Sequence, residues 1–279
     1  LTLRLAKAIL KSLFSEDLLM NFNDAVIFAN LLPSDMKPSE AWAIRQDLAA
    51  CYRLVHHHGM GDLIYNHISA KSPHHTDQIF LNAWGLFFED ITTSNLVTVN
   101  LSGEIIDDPI GKGVSSGGLA LHRAVYQCAE DIECVIHVHS VATAAVASMV
   151  QGLLPLSQQA MRFFNRMANH GYEGVDFSEH EVVRLQQALG ERRVMLVHNN
   201  GALVTGRSIA EAFDLLIHLE HACQIQMTLL ASQHQIIMPT PEIAEQVARS
   251  YESSTTQDSD AMWPGLLRMM DRKDPSYRN

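Results

Sequence analysis

Apolar side chains recur at three- and four-residue intervals in several stretches of this chain, and in others they alternate. Leu3, Ala6, Leu10, Leu13 and Phe14 follow the helical spacing, which predicts an amphipathic helix within an N-terminal extension over residues 1–38. Arg4, Lys7, Lys11, Glu16 and Asp17 interrupt that stretch, so it lacks the apolar core of a signal peptide. Ser39 can cap a second helix, with Ala41, Ile44, Leu48, Cys51, Tyr52 and Val55 on its apolar side. The run His56–Asp62, punctuated by Gly59 and Gly61, breaks it.

Short strands are predicted over Leu63–Ala70, Ile79–Leu81, Leu96–Leu101, Glu104–Ile106, Val135–His139, Val194–Val197 and Ala202–Val204. Helices are predicted over Leu119–Ala129, Val141–Val150, Glu179–Leu189 and Ser208–Ala231, the last opened by the capping pair Ser208 and Glu211. Asn199-Asn200-Gly201 is a tight-turn signal between two strands. Helices and strands interspersed in this way indicate an α/β class, one sheet covered by helices. The domain is expected over residues 39–238. A tail over 239–279 follows, with the polar run Ser253–Ser259 as a mobile joint.

The net charge of −11 and the absence of a basic stripe argue against nucleic acid and against an anionic membrane as partners. No stretch reaches the roughly 18 apolar residues a membrane span needs. The four cysteines, Cys51, Cys128, Cys134 and Cys223, are scattered. They read as free thiols of a cytoplasmic protein, not as a disulfide framework.

The sharpest chemical signal is His137-Val138-His139-Ser140. Alternate residues of a strand share a face, so the two imidazoles project together, about 7 Å apart along the backbone. Such a pair can hold a divalent metal or can be two half-buried histidines bonded to backbone. A zinc site needs a third protein ligand. His198 and Asn200, two apart, are both candidates, and so is His67. His67 can also move protons near neutrality. His122, among Leu119, Leu121 and Val125, reads as structural. The Gly-rich turn around Gly111, Gly113, Gly117 and Gly118, with Ser115 and Ser116, can cradle an anion or be a flexible loop.

Taken in order, Gly59–Ser69, Trp84-Gly85-Leu86, Leu121-His122-Arg123, His137–Ser140, Gly171–Gly174, Asn200–Gly206 and Glu211-Ala212-Phe213 resemble the class II aldolase/adducin family, most closely its adducin-type branch. The resemblance spans roughly residues 40–235. It implies an α/β/α layered domain around a mostly antiparallel sheet, assembled as a homotetramer. It also implies zinc as a Lewis acid, and a lyase reaction on a small hydroxy-carbonyl or hydroxy-acid compound through a metal-bound enolate. The alternative it implies is an adducin-like scaffold with a degenerate metal site.

By the same resemblance His137 and His139 match the first two metal ligands. The third, normally a histidine before a glycine, is Asn200 before Gly201, with His198 as a substitute on the same face. The family's glutamate base falls at Gly118, where no carboxylate exists. Trp84-Gly85 stands where aldolases hold substrate phosphate, so the substrate-binding set is Trp84, Gly85 and Ser116, and a phosphosugar is disfavoured. His67 and Tyr172 are the catalytic candidates, Tyr172 acting from a neighbouring subunit. Trp263 is expected to anchor the tail on such a neighbour.

Overall fold

The computed structural model describes residues 39–174 and 179–279. The amphipathic extension read over residues 1–38 lies outside the described residues. Residues 41–279 form one compact unit.

Helix α1 (Glu40–His57) leads into β1 (His67–Lys71), β2 (Gln78–Leu81), β3 (Val97–Asn100) and β4 (Ile105–Asp107). Helix α2 (Ser116–Tyr126), β5 (Cys134–Val138), α3 (Val141–Ala147), the short α4 (Gln158–Met161) and β6 (Met167–His170) come next. Helix α5 (Glu179–Leu189), the hairpin β7 (Val194–Val197) and β8 (Gly201–Gly206), and helices α6 (Ile209–Ala231) and α7 (Pro241–Lys273) complete the chain. The described strands form one sheet in the order β4-β3-β2-β1-β5-β8-β7-β6. All neighbours are antiparallel except β6 and β7, which run parallel.

The alternation of β5 divides the core. Cys134, Ile136 and Val138 face a layer containing Leu48, Leu54, Phe213 and Leu216 of α1 and α6. Val135 faces the other layer with Leu121 and Val125 of α2 and Leu185 of α5. Both faces of the sheet are therefore covered, as the helix-strand pattern predicts. His137 shares the parity of Val135 and so belongs to the α2 side.

Two expectations change. The strand predicted from Leu63 begins only at His67, because Leu63 takes a left-handed backbone (φ 47°) within a turn. The tail is also no separate segment. Residues 241–273 form a single helix whose polar run is internal. The hydroxyls of Ser253, Thr255 and Ser259 donate to the carbonyls of Ser250, Tyr251 and Thr256, so the polar side chains bond back to the helix instead of breaking it. Trp263, Met270 and Tyr277 are buried in this chain's own core, Trp263 edge-on to Phe213. The expectation that Trp263 anchors a neighbouring subunit is corrected accordingly: the indole is spent at home.

Candidate functional site

The site is built where β5, β1 and the β7–β8 hairpin meet. His67 pairs with His137 across the β1–β5 ladder, so their side chains share a face and their rings stack, 5.0 Å between centroids. His139 follows the last residue of β5, immediately before Ser140, which caps α3. Leaving the strand lets the chain turn the second imidazole back on the first. The two Nε2 atoms stand 3.1 Å apart, less than half the backbone separation the strand spacing implies.

The partners of each ring assign its tautomer. His137 Nδ1 lies 3.1 Å from the Ala202 carbonyl oxygen and His139 Nδ1 lies 3.1 Å from Asp62 Oδ2. Both oxygens only accept, so both Nδ1 atoms carry the proton and both Nε2 atoms present lone pairs to each other. Asn66 locks the second ring's backbone: its Oδ1 accepts from the His139 N–H while its Nδ2 donates to the Met60 carbonyl. Burial, with the neighbouring His67 and His139, holds His137 well below the usual imidazole range. A proton is therefore kept off His137 Nε2.

The third group at the pair is Asn200, whose amide nitrogen is 3.2 Å from His139 Nε2. Turning that amide over presents its oxygen instead. Gly201 makes the approach possible. A side-chain carbon there would overlap the Val138 carbonyl oxygen, so only glycine lets β8 start this close to β5. Asn199, at φ 55°, supplies the left-handed residue of the turn. His198 is exposed, and its backbone N–H donates to the His170 carbonyl. The structure thus brings Asn200, not His198, to the imidazole pair.

Among the described residues no group of three or more His, Cys, Asp or Glu side chains is set to hold a metal ion. The donor set is two imidazoles and one amide. It nonetheless suits a divalent ion. Two nitrogens bound to a tetrahedral zinc stand roughly 3.3 Å apart, close to the 3.1 Å between these two Nε2 atoms. Both imidazoles also have outer acceptors of the kind that orient metal-binding histidines.

Behind His67 lies a buried chain. His67 Nδ1 is 2.7 Å from His122 Nε2, His122 Nδ1 is 2.5 Å from Ser69 Oγ, and Ser69 Oγ is 2.9 Å from the Tyr126 hydroxyl. Burial drives His67 well below the usual imidazole value, reinforced by His122 and His139, and pushes His122 down to about 3. Gly118 sits against the same ring. Ser69, Tyr126, Asp62 and Asn66 thus belong to the site without having been given roles by sequence reasoning, and His122, read from the sequence as structural, joins them. The period-two spacing of His67 and Ser69 was the available signal.

The remaining candidates are more peripheral. The backbone N–H groups of Gly111 and Gly113 donate to Asp108, whose carboxyl they hold low. The Gly-rich turn therefore carries its own anion and is not an open cradle. Trp84 is 40% exposed, and its backbone N–H donates to the Gly113 carbonyl. Gly85 adopts φ 88°. Ser116 is exposed at the first turn of α2, behind the capping Ser115. Tyr172 is 45% exposed. Two cavities, of about 360 and 300 Å³, lie beside Phe163 and Met167 and beside Asp47 and Trp263, away from the histidines.

Comparison with known proteins agrees with this architecture. Residues 46–227 match the model of the class II aldolase and adducin N-terminal domain. A protein of Pseudomonas aeruginosa assigned to aldolase class 2 is 39% identical over 255 residues, covering 88% of this chain and 97% of its own length. Alpha-adducin of Rattus norvegicus is 38% identical over 191 residues, 68% of this chain but 26% of the adducin. A crystal structure of an aldolase II superfamily protein from Pseudomonas syringae superposes with a TM-score of 0.84 at 35% identity, covering 88% of this chain and 98% of that one. An L-fuculose 1-phosphate aldolase from Glaciozyma antarctica shares the fold, with a TM-score of 0.76 at 22% identity over 86% of this chain and 94% of that one. A match over most of the chain, joined to a layered domain with paired imidazoles at the end of β5, makes this protein a member of the class II aldolase and adducin family.

Proposed function

We propose that the protein is a metal-dependent lyase of the class II aldolase type, acting on a small hydroxy-carbonyl or hydroxy-acid compound. The observation that carries this reading is the pair of Nε2 lone pairs of His137 and His139, 3.1 Å apart, with the Asn200 amide beside them. His137, His139 and Asn200 would hold the ion, zinc by preference for imidazole. Bound there, a divalent ion supplies Lewis-acid polarisation of a substrate carbonyl. Ala202 and Asp62 keep the two rings oriented toward it.

His67 fills the space beside Gly118, where the family's carboxylate is missing, and presents its Nε2 to the substrate. Tyr172, exposed and free of its own core, suits service to a neighbouring copy of the chain, in keeping with a homotetramer. The exposed Trp84 indole offers a flat apolar wall where a phosphate would otherwise sit, which favours a substrate without phosphate.

A second reading, an adducin-like binding protein, is favoured by one observation: the third donor is an amide and not a histidine or carboxylate. Elemental analysis of purified protein separates the two. Stoichiometric zinc, lost in His137→Ala, supports the lyase. No metal in either protein, after dialysis against excess Zn²⁺, overturns it.

A further inference from the structure

The chain His67–His122–Ser69–Tyr126 has a direction. Four groups share three hydrogen bonds, and each hydroxyl or imidazole has one proton to give. Ser69 and His122 are fully buried and Tyr126 is 5% exposed. If the chain ran from His67 toward Tyr126, the phenol O–H would need an acceptor, and among the described residues Ser69 is its sole hydrogen-bond partner. If His122 and Tyr126 both donated to Ser69, the Ser69 hydroxyl proton would be stranded. One arrangement pairs every donor inside the sealed chain and leaves its single unpaired proton at the open end, on His67 Nε2. The Tyr126 O–H donates to Ser69 Oγ, the Ser69 O–H donates to His122 Nδ1, and His122 Nε2–H donates to His67 Nδ1.

We infer that Tyr126, Ser69 and His122 are positioning residues that fix His67 as its Nε2–H tautomer, so that His67 serves the site as a hydrogen-bond donor and not as a base or a metal ligand. The ring's Cδ2–Nε2 edge lies along Gly118. Nε2 has no hydrogen-bond partner among the described residues and is not one of the sealed, unpaired polar atoms, so it is open to a bound molecule. His67 is thereby set opposite to His137 and His139, whose protons sit on Nδ1. A lone pair at Nε2, which a base or ligand requires, is withheld from His67 and supplied by the other two. The donor role in catalysis rests on the lyase reading above; the tautomer does not.

The test is long-range proton–nitrogen NMR on the full chain labelled with ¹⁵N-histidine, metal-free at pH 8. His67 and His122 are expected to carry the proton on Nε2, and His137 and His139 on Nδ1, in one spectrum. A proton on Nδ1 of His67, or an averaged signal from both tautomers, overturns the inference. Ser69→Ala is then expected to turn the single His67 tautomer into an averaged one, although residue 69 does not touch that ring. An unchanged His67 signal in a folded Ser69→Ala protein would show that the chain does not set the tautomer. Should this variant fail to fold, the wild-type spectrum alone decides. Absence of bound zinc alongside Nε2–H at His67 would overturn the lyase and leave this assignment standing.

Discussion

A side-chain carbon on residue 118 would stand 2.7 Å from Cδ2 of His67 and 3.0 Å from its Nε2. The glycine and the imidazole are therefore a matched pair, each occupying space the other leaves. The ring cannot easily yield, since it stacks on His137 and bonds to His122. Gly118→Ala should cost about 1–3 kcal/mol by overpacking. Adding His67→Ala should recover much of that loss, so urea unfolding of the two single variants and the double variant should be strongly non-additive. Additive effects would mean that the two positions do not compete for volume.

Asp62 is not among the residues proposed to hold the ion, yet it accepts the Nδ1 proton of His139, which is. Asp62→Asn should weaken zinc binding about 10- to 100-fold, read by competition with a chromogenic chelator. Asn200→His should act in the other direction and tighten binding, because imidazole is the better zinc donor. Equal affinity in all three proteins would place the metal elsewhere.

Acid should destabilise the metal-free protein through its buried imidazoles. His67, His122 and His137 all lie below the ordinary value of 6.5, His122 at about 3, chiefly because burial penalises the charged ring. Below pH 6.5 the unfolded chain takes up protons that the folded chain refuses. Stability is then present above that pH and falls as pH drops toward the folded values, by about 1.4 kcal/mol per pH unit for each group. Denaturant midpoints between pH 7 and 5 should fall, and less steeply in His122→Gln. A flat profile would mean that these rings accept protons while folded.

The last helix should behave as core. Trp263 is 7% exposed and packs on Phe213, so Trp263→Ala should cost about 3–5 kcal/mol. An unaltered thermal midpoint would return residues 239–279 to the status of a detachable tail.

Arg162 and Asp214 form a buried ion pair, Nη2 to Oδ2 at 2.5 Å, with Thr255 of α7 also accepting from the guanidinium. Arg162→Met strands the Asp214 carboxylate beside His218 and should cost about 3–5 kcal/mol. Calorimetry against the double variant Arg162→Met, Asp214→Leu should show much of that loss regained.

Local pattern alone determined most of the elements. Period-two runs located β2, β3, β4, β5, β7 and β8 but not β6 (Met167–His170), and three-four spacing with Ser208 as cap located α6, because both periodicities record which face is buried. The parity of His137 and the turn at Asn199–Gly201 were equally local. Only the tertiary structure decided which residues meet. It left His139 off the end of the strand, chose Asn200 over His198, joined His122 on α2 to His67 on β1, and drew α7 into the core. Those contacts span tens of residues along the chain. They depend on how sheet and helices close on one another, and a sequence carries no local trace of that.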